Sequence, residues 1–304
     1  MSPLMSELQG PPLASLGQWS ENVFMQTKSL LSVFAHPDDE TFGLGGTLAY
    51  YAARGDFVAL VCATRGEAGE IADPALATPQ TLGDVRTAEL NCAAQVLGVS
   101  EVILLDYRDS GMAGTPDNQD PRAFMNAPAE EVAGRLVGLI RRLRPQVVIT
   151  FDPNGGYGHP DHIAIHRHTV AAFHAAGDPA RYPEQGAPWQ PARLFYTVWP
   201  RSFMRVLREQ AQALGLDMAE IEALERSEAG WPDDQIQVTL DVTGQLEVKW
   251  RALHCHRTQF GADNLFRRLP EAAIKQALGY EHFALAWPPP APGERLPDLF
   301  AGLG

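Results

Sequence analysis

An α/β fold, a mostly parallel sheet with helices on both faces, is what this sequence predicts, and three features predict it. Apolar, β-prone runs alternate with stretches of helical period through residues 28–200. The runs near 29–35 and 146–151 are apolar along most of their length, as strands covered on both faces are. Both end abruptly in clusters of histidine and carboxylate, and open α/β sheets bind ligands at the C-terminal ends of their strands.

In order along the chain, residues 1–27 mix Pro, Gly, Ser and Gln without a sustained period and read as an N-terminal extension outside the fold. The first strand, near 29–35, leads into a helix carrying Leu48, Tyr51 and Ala52. A second strand lies near 57–64. The stretch 82–97 is helical, with Val85, Leu90, Ala93 and Leu97 on one side. Strands near 101–105 and 146–151 flank a helix at 128–143. Another helix starts around His162, and a further strand falls near 193–198. This alternation gives a Rossmann-like core over 28–200. A strand order of 3-2-1-4-5 sets the first and fourth strands side by side, so that their loops share one crevice.

After Pro200 the rhythm changes. Helical patterns near 201–214 and 244–257 surround a strand-like 235–242, and 283–287 is a last apolar piece before Pro288-Pro289-Pro290, which end regular structure. Residues 201–304 are expected to form a smaller C-terminal lobe packed on the core, with a Pro-rich tail.

The chemistry lies in two loops. The first strand ends in His36-Pro37-Asp38-Asp39-Glu40, and the fourth in Asp152-Pro153-Asn154-Gly155-Gly156-Tyr157-Gly158-His159-Pro160-Asp161-His162. Neutral imidazole is the commonest metal ligand, and catalytic zinc sites keep three protein ligands and one open position. A histidine and an aspartate three positions apart, with another aspartate between, can hold a divalent ion and leave one carboxylate free as a base. A metal-dependent hydrolase follows. Gly43-Leu44-Gly45-Gly46 after a strand invites a dinucleotide-binding reading, which fails because the third glycine would fall at Leu48. The glycines are expected instead to let the helix pack close to the metal loop.

These residues carry a resemblance. Ala35-His36-Pro37-Asp38-Asp39-Glu40 with Gly43, Gly45 and Gly46, together with Gly158-His159-Pro160-Asp161-His162, resembles the N-acetylglucosaminyl deacetylase family (LmbE-like, or PIG-L). Thr64-Arg65-Gly66-Glu67-Ala68-Gly69-Glu70, Arg108-Asp109-Ser110-Gly111-Met112 and His254-Cys255-His256-Arg257-Thr258-Gln259 resemble the branch that deacetylates the sugar precursors of mycothiol and bacillithiol or cleaves mycothiol conjugates. The likeness spans roughly 28–287. It implies a zinc-dependent deacetylase of an N-acetylglucosamine conjugate, in which iron(II) or another divalent ion is an alternative metal. An amidase cleaving glucosaminyl thiol conjugates is the nearest rival, and an inactive metal- or sugar-binding protein a further one.

On this likeness His36, Asp39 and His162 are expected to ligate the metal, with Asp38 as general base. His159 stands beside the metal as a protonated donor, kept charged by Asp161. Tyr157 either donates to the oxyanion or is a loop aromatic shielding the site. Glu40 is expected to charge or cap the next helix. Arg65 and Asp109 follow the second and third strands, hence the same sheet edge, where a fork of donors and a pair of acceptors suit a polyhydroxylated ligand. Arg86 and Glu67 are weaker candidates. His256 either reaches the pocket or is a packed helix histidine, and His166 is expected to be no ligand.

Composition bounds the partners. A net charge of −13 offers nucleic-acid phosphate no basic footprint. No run approaches the roughly 18 apolar residues of a membrane span, and no signal peptide opens the chain, so a cytoplasmic protein without nucleic-acid or membrane partners is expected. A small-molecule N-acetylglucosaminyl substrate remains, and a homo-oligomer is compatible with the sequence. Cys62, Cys92 and Cys255 lack CxxC spacing and read as buried free thiols.

Overall fold

The structure is a computed structural model describing residues 28–213, 215, 230–262, 264–268 and 278–303. The expected extension, 1–27, lies outside the described residues. Strand β1 (Ser29–Phe34) is buried along its whole length and runs parallel to β2 (Phe57–Thr64) on one side and β4 (Val147–Phe151) on the other. The edge strand β3 (Glu101–Tyr107) follows β2, and β5 (Arg193–Val198) follows β4, all parallel. The order β3-β2-β1-β4-β5 thus reverses direction between β1 and β4. At such a switch point the two loops part to opposite faces and leave a crevice.

Helices α1 (Asp39–Ala53) and α2 (Leu82–Leu97) connect the strands of one half; α3 (Ala129–Leu143), the short α4 (Gly155–Gly158) and α5 (Pro160–Ala176) belong to the other. Helix α3 packs on α5, and α1 and α2 pack on α7 (Leu246–Leu253), giving a layer on each face; α6 (Arg201–Ala213) and α8 (Leu265–Arg268) complete the helices named here. No helix among the described residues is long and apolar enough to cross a membrane.

The segment after Pro200 extends the core sheet. Strand β7 (Tyr280–Trp287) lies antiparallel between β5 and β6 (Val238–Asp241), so seven strands share one sheet. This segment also repairs a break in α1. Leu44, at φ −153°, interrupts the helix and frees the N–H groups of Gly46 and Thr47. Both donate to the buried Glu281 carboxylate, at 2.9 and 2.7 Å, and Lys249 Nζ pairs with it at 2.6 Å. A Cβ on Gly46 would lie 2.5 Å from Val242 Cγ2, so this glycine serves close packing against the C-terminal segment and not against the metal loop.

The cysteines require a correction. Cys92 on α2 and Cys255 just beyond α7 form a disulfide, with Cα atoms 5.7 Å apart; of the three cysteines, only Cys62 is a buried free thiol. A separation of 163 residues hides this pairing in the sequence, whereas the packing of α2 on α7 makes it. Closing so long a loop stabilises by about 5 kcal/mol in the chain-entropy account. Cys92→Ser is therefore expected to lower the free energy of urea unfolding by several kcal/mol. An unchanged unfolding midpoint would mean that the bridge contributes nothing.

Candidate metal centre and active site

Strands β1 and β4 deliver His36 and His162 to one point. His36 Nδ1 and His162 Nε2 lie 3.1 Å apart, Asp39 Oδ1 is 3.3 Å from His162 Nε2, and Asp39 Oδ2 is 3.6 Å from His36 Nδ1. The far side of each ring fixes its tautomer. His162 Nδ1 donates to the Gly155 carbonyl at 3.0 Å, and His36 Nε2 faces Asp161 Oδ2 at 3.2 Å and Asp109 Oδ1 at 3.4 Å. Two imidazole lone pairs and a carboxylate therefore converge, an arrangement that is repulsive unless a cation sits among them. A tetrahedral ion with bonds of about 2.0–2.1 Å keeps its ligands about 3.3 Å apart, so the donor set fits a zinc-sized divalent ion. Proton equilibria carry the same signature. Burial opposes charge on His36, but Asp109, Asp161 and Asp39 outweigh it and push its pKa well up; burial opposes charge on Asp39, but His162 and His36 hold it well below the usual carboxylate range.

Local structure explains the aim of each donor. The ring of His162 stacks on Phe151, with centroids 3.9 Å apart and planes 8° apart. Asp152 Oδ1 accepts from the N–H groups of Asn154 and Gly156 and tightens the loop. Gly155, at φ +64°, is required there, since a Cβ would meet His162 Cβ at 2.7 Å. Asp39 Oδ2 is held by the His36 N–H at 2.7 Å.

Asp38 stands free of this triad. Its backbone is left-handed (φ 116°), its N–H donates to Glu40 Oε2 at 2.9 Å, and its Oδ2 lies 3.3 Å from Arg86. Burial pushes the Asp38 carboxyl up to about 6; Arg86 pulls against this and Asp39 adds to it. Arg86, 4% exposed, also donates to the carbonyls of Pro37 and Gly66. Of the two arginines weighed from sequence, the buried one faces the site.

Three expectations change. Arg65 is turned onto exposed carboxylates, its Nε pairing with Asp106 at 2.9 Å and its Nη1 with Asp84 at 3.2 Å. Asp109 is buried behind His36, its oxygens taken by the N–H groups of Gly111 and Ala68. Arg65 thus lies among surface carboxylates, and Asp109 lies against the outer nitrogen of His36. Asp161 does not sustain a charged His159: its carboxylate accepts from His36 Nε2 and from the N–H and hydroxyl of Ser110, and only its backbone N–H meets His159 Nδ1, at 3.1 Å. As an acceptor at Nδ1, His159 is a neutral ring with its proton on Nε2. Burial, then the neighbouring His36 and His162, depress it to about 3.

His36, His159 and His162 nonetheless form one cluster, with ring nitrogens within 4.8 Å of one another. Tyr157, 40% exposed, edges the His162 ring at 5.1 Å between centroids. His166 turns to the Phe151 carbonyl, away from the cluster. Glu40 reaches back to the N–H of Asp38 and also meets the fully buried His256 at 2.7 Å. Sequence reasoning missed Ser110, whose only signal is its place beside Asp109, and the Glu40–His256 contact, which has none.

The chain is similar to known proteins over most of its length. The family model GlcNAc-PI de-N-acetylase (PIG-L) matches residues 31–173. The chain is 40% identical over 294 residues to a 1D-myo-inositol 2-acetamido-2-deoxy-alpha-D-glucopyranoside deacetylase of Geodermatophilus obscurus, covering 91% of this chain and 98% of that protein. An enzyme of the same name from Rhodococcus erythropolis is 41% identical over 298 residues, with 91% and 98% covered. Among solved structures, N,N'-diacetylchitobiose deacetylase from Pyrococcus horikoshii superposes with a TM-score of 0.60 at 22% identity, covering 90% of this chain and 87% of that one, a likeness of fold. With two such relatives matched over nearly their full length, the chain belongs to the GlcNAc-PI de-N-acetylase (PIG-L) family.

Proposed function

We propose that this chain is a zinc-dependent N-deacetylase that hydrolyses the acetamide of an N-acetylglucosaminyl conjugate, the inositol glycoside named for its relatives being the first candidate. One observation carries the reading: a partly desolvated carboxylate, Asp38, stands beside a converging His36–Asp39–His162 donor set without belonging to it. A site built only for binding has no use for that carboxylate.

His36, Asp39 and His162 would hold the ion. When bound, a divalent ion supplies Lewis acidity toward the acetamide carbonyl and lowers the pKa of water towards ~7. Asp38, poised near 6, takes the proton of the attacking water as its oxygen bonds to the carbonyl carbon. The Nε2–H of His159 and the Tyr157 hydroxyl are the donors for the oxyanion. Collapse breaks the C–N bond, and the proton held by Asp38 passes to the departing nitrogen, leaving acetate and a free amine. Asp161 and Asp109 face the outer nitrogen of His36, keeping it protonated, and would leave the inner lone pair free for a bound ion.

The test is acetate release by zinc- and iron(II)-loaded protein from N-acetylglucosaminyl inositol, N-acetylglucosaminyl malate and free N-acetylglucosamine. Metal-dependent release, fastest from a conjugate, is expected. Failure with every acetamido sugar, together with cleavage of a glucosaminyl thiol conjugate, would replace deacetylation by the amidase activity.

A further inference from the structure

Behind the catalytic loop lies a buried cluster that the chemistry above does not use. His256 is fully buried, with Nε2 at 2.7 Å from Glu40 Oε1 and 3.3 Å from Thr41 Oγ1. Glu40 is 1% exposed, and its other oxygen accepts the backbone N–H of Asp38. That backbone is in a left-handed form which costs a non-glycine residue about 1–3 kcal/mol and persists only where its surroundings impose it. A carboxylate this deep needs a strong donor to keep its orientation, and a hydrogen bond with one charged partner is about twice as strong as a neutral one. The Thr41 hydroxyl also donates to Glu40 Oε1, but as a neutral neighbour in sequence; His256, from a distant turn, supplies the strong donor.

The turn carrying His256 is itself anchored, on both sides, to α2. Cys255 is bonded to Cys92, and the Glu89 carboxylate accepts from the N–H and hydroxyl of Thr258 at 2.8 and 2.6 Å. Arg86 on the same helix reaches the other way, to Asp38 Oδ2 and the Pro37 carbonyl. Arg86, Glu89 and Cys92 recur at intervals of three, so they lie close to one helix face. The Asp38 backbone, through Glu40 and His256, and the Asp38 carboxylate, through Arg86, are thereby registered against one rigid element.

We propose that His256 is a positioning residue: by holding Glu40 it keeps Asp38 in its strained conformation with the carboxylate aimed at the reacting centre, without itself touching substrate. The inference rests on the role given to Asp38 above. It assigns a catalytic consequence to the C-terminal turn, more than 200 residues away in sequence from the loop it supports.

His256→Gln and His256→Asn separate positioning from bulk stability, because both are neutral amides of similar polarity. The glutamine nitrogen falls near the place of Nε2 and still meets Glu40, whereas the asparagine nitrogen stops short. With acetate release counted per bound metal, His256→Gln should keep kcat within a few-fold of the parent. His256→Asn should lose about tenfold to a hundredfold, the scale of a small misplacement of a catalytic group, with KM within twofold. Amide hydrogen exchange over residues 36–42 should quicken in His256→Asn and not in His256→Gln, with the β1–β4 core unchanged. Equal kcat in the two variants, or equal exchange over 36–42, would overturn the proposal. If the parent protein releases no acetate, the deacetylase reading fails by itself, and the exchange comparison still decides the role of His256.

Discussion

His162→Ala is expected to yield a folded protein that neither retains a divalent ion nor releases acetate. The Nε2 lone pair of His162 meets both other donors, 3.1 Å from His36 Nδ1 and 3.3 Å from Asp39 Oδ1. With the proposed ligand set, removing it leaves two donors where an open catalytic site needs three. Losing a mere outer partner of a ligand typically costs about 10–100-fold in metal affinity, and losing the ligand costs more. The ring also stacks on Phe151 in a site 1% exposed, so alanine leaves a cavity, and His162→Gln is the matched control for packing. Elemental analysis after dialysis against a weak chelator is the measurement. Stoichiometric, tightly held metal in both variants would remove His162 from the ligand set and turn attention to His159, which lies in the same cluster.

What the sequence disclosed, and what it withheld, follows the range of the interactions involved. Strands β1 and β4 were legible because burial on both faces leaves a local mark; alternation indicated a parallel sheet, and the switch point rested on assuming the order 3-2-1-4-5, which the sheet has. His36, Asp39 and His162 come together because a strand end and a helix start are local features whose meeting is dictated by topology. The insertion of β7 between β5 and β6 left no such mark, since antiparallel addition at a sheet edge depends on partners far away in sequence. Asp161 was misread for a geometrical reason. Successive residues of a helix point about 100° apart, so with His162 facing the donor cluster, Asp161 turns to Ser110 and the back of His36. Arg65 follows its strand as expected, but the carboxylates of Asp84 and Asp106 at the surface capture it. The buried Arg86 took the inner position because the α2 face on which it stands packs against the loop, a fact no spacing within 82–97 records.

Asp38→Asn separates catalysis from metal binding in the opposite sense to His162→Ala. The substitution keeps the size of the side chain and places a neutral amide beside Arg86, so the loop should retain its form and the His36–Asp39–His162 set its ion. Turnover should fall by about 10²–10⁴-fold, the usual contribution of a general base. The physical ground lies in the carboxyl's environment. Burial has raised it to about 6, high enough to accept a proton from water and low enough to stand ionised at neutral pH, while Arg86 keeps the charge from becoming prohibitive. On the proposed mechanism, an amide in its place can neither take that proton nor return it to the departing amine, so both halves of the reaction would lose their carrier. Metal content, by elemental analysis, and the initial rate of acetate release are read on the same preparation. Full metal with near-normal turnover would mean that another group carries the proton, with His159 the nearest in the cluster; loss of metal together with turnover would make Asp38 a ligand and leave the site without a base.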